Sequence, residues 1–215
     1  MSTTSRLARD PEKEARILMA ALTEFSEHGY RKTHVEEIAD QAEVSKGLVF
    51  KYYQSKENLY LTTLKSATQK FMAIADYNIW QDSEDLVAMV VNATRYKISL
   101  QLKFPREFKL LLNAFVQGSQ LPKAIGDYVN TTFISNTDLQ KKMLTPVLQR
   151  SKLKPGVSID DVYEMIRWIE NGYYGRIQEY LGTHPEITSI EDMNEIIEQL
   201  TKYFEIFEHG FMASN

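Results

Sequence analysis

An all-α fold is the class this sequence predicts, on three observations. Apolar residues recur at steps of three and four, as in Ile17, Ala20, Ala21 and Phe25, which places them on one face of a helix. Helix-starting residues (Ser, Asp, Thr, Pro) and helix-ending glycines divide the chain at intervals that suit helices. No segment carries an alternating apolar pattern bounded by hairpin turns.

The elements follow in order. Pro11 has the position of a first-turn proline and Gly29 that of a stop. Thr33 and Glu36 have capping-box spacing and open a short second helix, with Val35, Ile38 and Ala39 facing inward. Ser45 caps a third short helix and Ser55 a fourth, which keeps an apolar face to about Tyr77. "DSED" (82–85) opens a helix to about Lys103, and Pro105 opens one to about Gly118. Pro122 opens another, bent or interrupted near Pro146, before the "KPG" turn (154–156). Ser158 with Asp160 and Asp161 starts a helix ending near Gly182, and Ser189 with Asp192 starts the last, ending by Gly210. The sum is about nine helices, divided near residue 55 into short ones and long ones.

Bulk properties narrow the function. The chain has 215 residues, 43% hydrophobic and 25% charged, enough for a substantial core. It has no cysteine, which removes disulfides, thiolate catalysis and cysteine-ligated zinc and fits a reducing compartment. The N-terminal stretch lacks the apolar core of a signal peptide, and the longest aliphatic run, "LVAMVV" (86–91), is far too short for a bilayer, so a cytoplasmic location without membrane contact is expected. A formal charge of −4 argues against coating nucleic acid, but a local patch acts over about 8–10 Å regardless of the total.

Such a patch exists. Residues 1–60 hold 9 Lys/Arg and 10 Asp/Glu, yet Val44 to Lys56 contains Lys46, Lys51 and Lys56 and no carboxylate. Read as helix, turn, helix, residues 33–53 put Val49 and Tyr53, four apart, on the core face. Lys46, Gly47, Phe50 and Lys51 then lie on the opposite face, with Tyr52 at its flank. Reading a major groove needs an exposed short helix of this kind, flanked by phosphate-binding groups. Gly47 permits close approach of backbone to DNA, Ser45 and the helix N-terminus offer donors to a phosphate, and Lys56 can hold a second phosphate.

"AEVSKGLVFKYYQSKENLY" (42–60), with "AALTEFSEHGYRKTHVEEIA" (20–39) upstream, resembles the signature of TetR-family transcriptional regulators. The resemblance covers roughly residues 13 to 60. It implies that Thr33 and Lys56 contact phosphate and that Ser45, Lys46, Gly47, Lys51 and Tyr52 lie at bases or backbone of double-stranded operator DNA. Three positions depart from the family pattern. Leu48 replaces a common Thr and offers only apolar contact, as to a thymine methyl. Phe50 replaces a common Tyr and lacks its hydroxyl. Glu43 replaces a common turn Gly, and a left-handed Glu costs about 1 kcal/mol. The implied plan is a DNA-binding domain at 1–55 and a helical ligand-binding and dimerisation domain at 56–215, needing no cofactor.

Beyond residue 60 large side chains recur at helical spacing, most of them ordinary core. Tyr96, Phe108, Leu111, Phe115 and Trp168 are the candidates to line a site for a small hydrophobic effector. Asn113 and Asn171 join them as polar residues inside apolar helices, since a buried amide needs a partner, either a ligand or another helix. Gly172 and Gly175 allow close helix packing, and "IIEQLTKYFEIF" (196–207) has a wide apolar stripe. By resemblance, about 158–181 and 189–210 pair across a two-fold axis into a homodimer, and two operator half-sites demand that symmetry.

Two other classes of all-α protein fit the sequence less well. A metal carboxylate enzyme of this size needs Glu-x-x-His pairs, and the residues three before His28, His34, His184 and His209 are Phe25, Arg31, Leu181 and Ile206. Nucleotide-binding and serine-hydrolase motifs are also missing, and His34 reads as a surface or phosphate-adjacent side chain. An architectural DNA-binding protein without effector would not need so large a second domain.

Overall fold

The computed structural model describes residues 9–134, 136–184, 186–187 and 189–210, with nothing said of the side chains of several further residues, Asn171 and Gly175 among them. Among the described residues there are eleven α-helices and no strand. They are α1 (Pro11–Lys32), α2 (Val35–Gln41), α3 (Lys46–Tyr53), α4 (Lys56–Ile74), α5 (Asn78–Gln81), α6 (Leu86–Lys103), α7 (Pro105–Gln117), α8 (Lys123–Val129), α9 (Thr137–Arg150), α10 (Ile159–Thr183) and α11 (Asn194–His209). The two beyond expectation are the single turn α5 and the division of 122–150 into α8 and α9. That division follows a π-helical segment, Asn130–Ile134, whereas Pro146 is accommodated inside α9. None of these helices is long and apolar enough to cross a membrane.

The caps explain where most helices begin. Asp10, Ser45, Ser55, Asp85, Asn136 and Ser158 each accept a main-chain N–H from the first turn that follows. Ser189 and Asp192 exchange main-chain hydrogen bonds as a capping pair, but around the short 3-10 turn Glu191–Met193 that precedes α11. The box expected at Thr33 and Glu36 lies one residue later, where His34 caps α2 and its N–H donates to Glu37 Oε2 at 3.3 Å.

Thr33 itself is buried, and its hydroxyl hydrogen-bonds main-chain oxygens of Gly29 (2.8 Å) and Glu24 (3.1 Å). It closes the C-terminus of α1, because Gly29 (φ 72°, ψ 177°) interrupts that helix one turn before its end. A Cβ at Gly29 would also stand 3.2 Å from Gln117 Nε2.

The first apolar core runs across the boundary expected at residue 55. Ile17, Phe25, Ile38, Val49, Leu59 and Tyr60 share it with Leu110, Ala114, Ile125 and Val129 of α7 and α8. Polar ties reinforce the seam: Asn113 Nδ2 donates to Ser26 O (3.2 Å), and Arg31 Nη2 donates to Gln120 O (3.2 Å). α4 is therefore not alone in joining head to body, since α7 lies against α1 as well. A second core gathers Trp80, Leu86, Met89, Val147, Ile166 and Phe204, and a third, smaller one lies under Tyr173, Ile190, Met193 and Ile196.

Tyr60 is fully buried in the first core, edge-on to Phe25 (4.8 Å) and Tyr30 (5.3 Å), and its hydroxyl has no hydrogen-bond partner. Burial pushes its pKa up, so ionisation opposes the fold. This contribution to stability is intact below the ordinary tyrosine value of 10.0 and is lost as pH rises above it. Tyr60→Phe should raise stability at neutral pH by about 1 kcal/mol, a melting shift of roughly 2–4 °C, and should blunt the loss above pH 10. Thermal melts of both proteins across that range check it.

Candidate nucleic-acid interface

The helix-turn-helix is built by three short constraints. Ala39 and Ala42 are buried and let α2 and α3 cross closely. Glu43 carries the turn with φ 53°, the left-handed conformation expected where a glycine is common, and its side chain reaches Arg16 of α1 at 3.2 Å. Ser45 Oγ then accepts the N–H of Leu48 (3.2 Å) and starts α3.

Val49 (1% exposed) and Tyr53 (2%) seat α3 in the core, as their spacing required. The outer face shows Lys46, Gly47, Phe50 and Lys51 together, all exposed, with Ser45 at its N-terminal edge. A Cβ at Gly47 would meet nothing nearer than Ser45 Oγ at 3.9 Å. The fold itself leaves room for a side chain there.

Other candidates take different places. Leu48 is half-buried and packs against the first core. Tyr52, expected at the flank, is buried: its hydroxyl accepts the N–H of Asp10 (3.0 Å) and its carbonyl accepts Arg9 Nη2. Thr33 is turned inward by the bonds described above, so its side chain does not face the α3 surface. Lys56 is half-buried beside Tyr30 (4.9 Å to the ring), donates to Arg31 O (3.3 Å), and has its pKa lowered by that burial. Lys46 is ion-paired with Glu36 of α2 and lies 5.7 Å from the Phe50 ring centre.

Arg9 went unnoticed in the sequence. Its guanidinium stands 5.6 Å from the Tyr52 ring and 5.2 Å from the Tyr53 ring and pairs with Glu14 (2.6 Å), clamping the start of α1 onto the end of α3. It precedes the helix cap, so no periodicity marks it.

The effector candidates do not converge on one cavity. Tyr96 packs on Trp80 (5.3 Å) in the second core, with its hydroxyl bonded to Ile74 O and Asp76 N. Phe108 packs on the third core and edge-on to Phe71 (6.2 Å), and Leu111 packs on the first. Phe115 is half-buried on α7. Asn113 spends its amide on Ser26, the interhelical alternative. The Asn171 side chain lies outside the described residues. Trp168, expected in the interior, is 70% exposed, because α10 turns that face away from every core. Among the described residues no three His, Asp or Glu side chains gather to hold a metal ion.

The fold and the α3 face define a class: helix-turn-helix proteins with a helical second half. Residues 17–63 match the family described as "Bacterial regulatory proteins, tetR family". The chain is 26% identical over 156 residues to the HTH-type transcriptional regulator RutR of Escherichia coli O157:H7, spanning 72% of this chain and 71% of the relative. It is 41% identical over 59 residues, 27% of this chain and 31% of the relative, to the HTH-type transcriptional repressor SCO4008 of Streptomyces coelicolor. In fold it is similar to the transcriptional regulator FadR of Bacillus subtilis, solved with stearoyl-CoA (TM-score 0.62, 17% identity, 93% of this chain and 100% of that one). A TetR-family regulator from Mesorhizobium loti is likewise similar (TM-score 0.57, 19% identity, 93% and 98%). Residues 17–63 are thus a DNA-binding head of the TetR-family type.

Proposed function

We propose that the protein is a homodimeric repressor that reads a pseudo-palindromic operator with α3 of each protomer and leaves it when a small hydrophobic effector binds the helical body. The observation that carries the reading is the α3 face: Ser45, Lys46, Gly47, Phe50 and Lys51 exposed together on a short helix anchored from behind. Base edges meet the N-terminal half of such a helix while its cations meet phosphate. Selection of bound fragments from random DNA tests it, and recovery of no shared inverted repeat would sink it.

Lys51 separates DNA contact from stability better than Lys56, which is built into the head. Lys51→Ala should leave the melting temperature unchanged and lower the slope of log affinity against log salt by roughly 2 for a dimer. Lys56→Ala should lower DNA affinity and stability together. Fluorescence anisotropy over a salt series, beside thermal melts, reads both.

The outer face of α10 and α11 supports a two-fold interface. Met165 (47% exposed), Trp168 (70%) and Ile206 (38%) border a largely apolar groove of about 640 Å³ that also takes in Gly172 and Phe207. A second copy would cover it and bury the indole, the kind of side chain that dominates such contacts. Trp168→Glu should convert the dimer to monomer by analytical ultracentrifugation and weaken operator binding at least about tenfold.

Effector binding would move the two heads through α4 and through the α7–α1 seam. Operator and effector must then weaken each other by one shared factor, typically about 5–150-fold. A thermal-shift screen of apolar and amphipathic compounds, stearoyl-CoA among them, should yield a stabilising ligand that also releases the operator. Stabilisation without release would count against gating.

A further inference from the structure

The ion pair between Glu36 and Lys46 lies at the N-terminal end of the face just proposed to meet DNA. Lys46 is the first residue of α3, so its cation stands at the positive end of that helix. Glu36 reaches it from the first turn of α2, and both side chains are about half exposed (56% and 51%). The carboxylate therefore takes up the lysine cation that a DNA phosphate would otherwise meet. Lys46 is also held against Phe50, so its long side chain has a defined course over the reading face. The hydrogen bond from Lys46 holds the Glu36 carboxyl below its usual range.

Resting on the reading of α3 as the DNA-reading helix, we propose that Glu36 is a positioning residue for Lys46 and an internal competitor for phosphate, holding down sequence-independent binding. A loosely docked head on arbitrary DNA gains from Lys46 only by breaking the pair, which leaves Glu36 unpaired beside a polyanion. Alternatively the pair stays closed and the phosphate meets a neutral group. A closely docked head on its operator uses Lys46 in the place where Glu36 and Phe50 have already set it, so part of the loss is returned as preorganisation. The carboxylate thus acts unequally on the two modes, which is how a repulsive element creates specificity. Asp40, also on α2 and exposed, carries the same charge and has no ion pair among the described residues.

The test compares wild type, Glu36→Gln, Asp40→Asn, Lys46→Ala and the Glu36→Gln/Lys46→Ala double variant. Each is titrated by anisotropy against a mixed-sequence duplex and against the operator recovered by selection, over a salt series, with melts to confirm folding. Glu36→Gln should bind the mixed duplex roughly 2- to 30-fold tighter, the range for releasing two exposed ion pairs. Its salt slope should steepen by roughly 1–2. The operator should gain less, so that the ratio of operator to mixed-duplex affinity falls. Asp40→Asn should change the slope little, and the gain from Glu36→Gln should be clearly smaller in the Lys46→Ala background, since most of the effect passes through that lysine. A Glu36→Gln protein no different from Asp40→Asn, or a gain that persists undiminished without Lys46, would overturn the proposal. A wild-type protein that binds neither duplex would instead overturn the DNA-binding reading, and this role with it.

Discussion

The seating of α3 is the constraint on which the rest of the head depends. An eight-residue helix has too few main-chain hydrogen bonds to hold itself in water, so its existence is a consequence of packing. Val49, Tyr52 and Tyr53 are the side chains it buries, each worth about 1.5–3 kcal/mol or more in area removed from water. They fix its rotation as well as its position. Once they point inward, Lys46, Gly47, Phe50 and Lys51 have only the outside to face. The same seating explains Arg9 and Asp10, which approach from the start of α1 and take up the carbonyl and hydroxyl of Tyr52. The exposed face of α3 is thus braced at both ends: by the Ser45 cap at one, and by the Arg9 clamp on Tyr52 and Tyr53 at the other.

That bracing continues into the body. Leu110 and Ala114 of α7 belong to the same core as Phe25 and Ile38, so the head is not a bead on a linker. A core packed to crystal-like density transmits displacement rather than absorbing it. The Gly29 kink stands at this seam with Gln117 against it, and Asn113 and Arg31 tie main chain across it. A shift of α7 therefore reaches α1 through apolar contact and through hydrogen bonds together, while α4 carries its own part of the same core through Leu59, Tyr60 and Leu64.

Much of this was legible in the sequence, for reasons that are local. Ser45, Ser55, Asp85 and Ser158 act over one turn, and a capping residue announces itself within four positions. Glu43 was legible because a turn that wants glycine demands φ > 0 of whatever replaces it, and φ is 53°. The failures are non-local. Thr33 has the chemistry of an N-cap, but the Gly29 break let its hydroxyl turn back to α1 instead. Tyr52 lies between the two faces of α3, and only the arrival of Arg9 and Asp10, more than forty residues away in sequence, decides that it is covered. Trp168 reads as interior because tryptophan usually is, yet the buried stripe of α10, Val162, Tyr163, Ile166 and Tyr173, passes it by. Tyr96, Phe108 and Leu111 likewise share a helical period with their neighbours but are dealt to three separate cores.

Charge placement answers what composition left open, namely how a chain of net charge −4 can present a cationic face to a polyanion. The carboxylates of the head are not remote from that face. Glu36, Glu37 and Asp40 are exposed on α2, next to α3 in the same motif, and Glu43 is engaged by Arg16. Over a screening length of about 8–10 Å such neighbours matter more than the body's total charge. Lys46 is matched by Glu36 and Lys56 is half-withdrawn beside Tyr30, leaving Lys51 as the lysine of this strip without an ion pair among the described residues. On the proposed reading, a face built this way would attract a backbone weakly and in few places, leaving shape and base edges to supply what charge withholds.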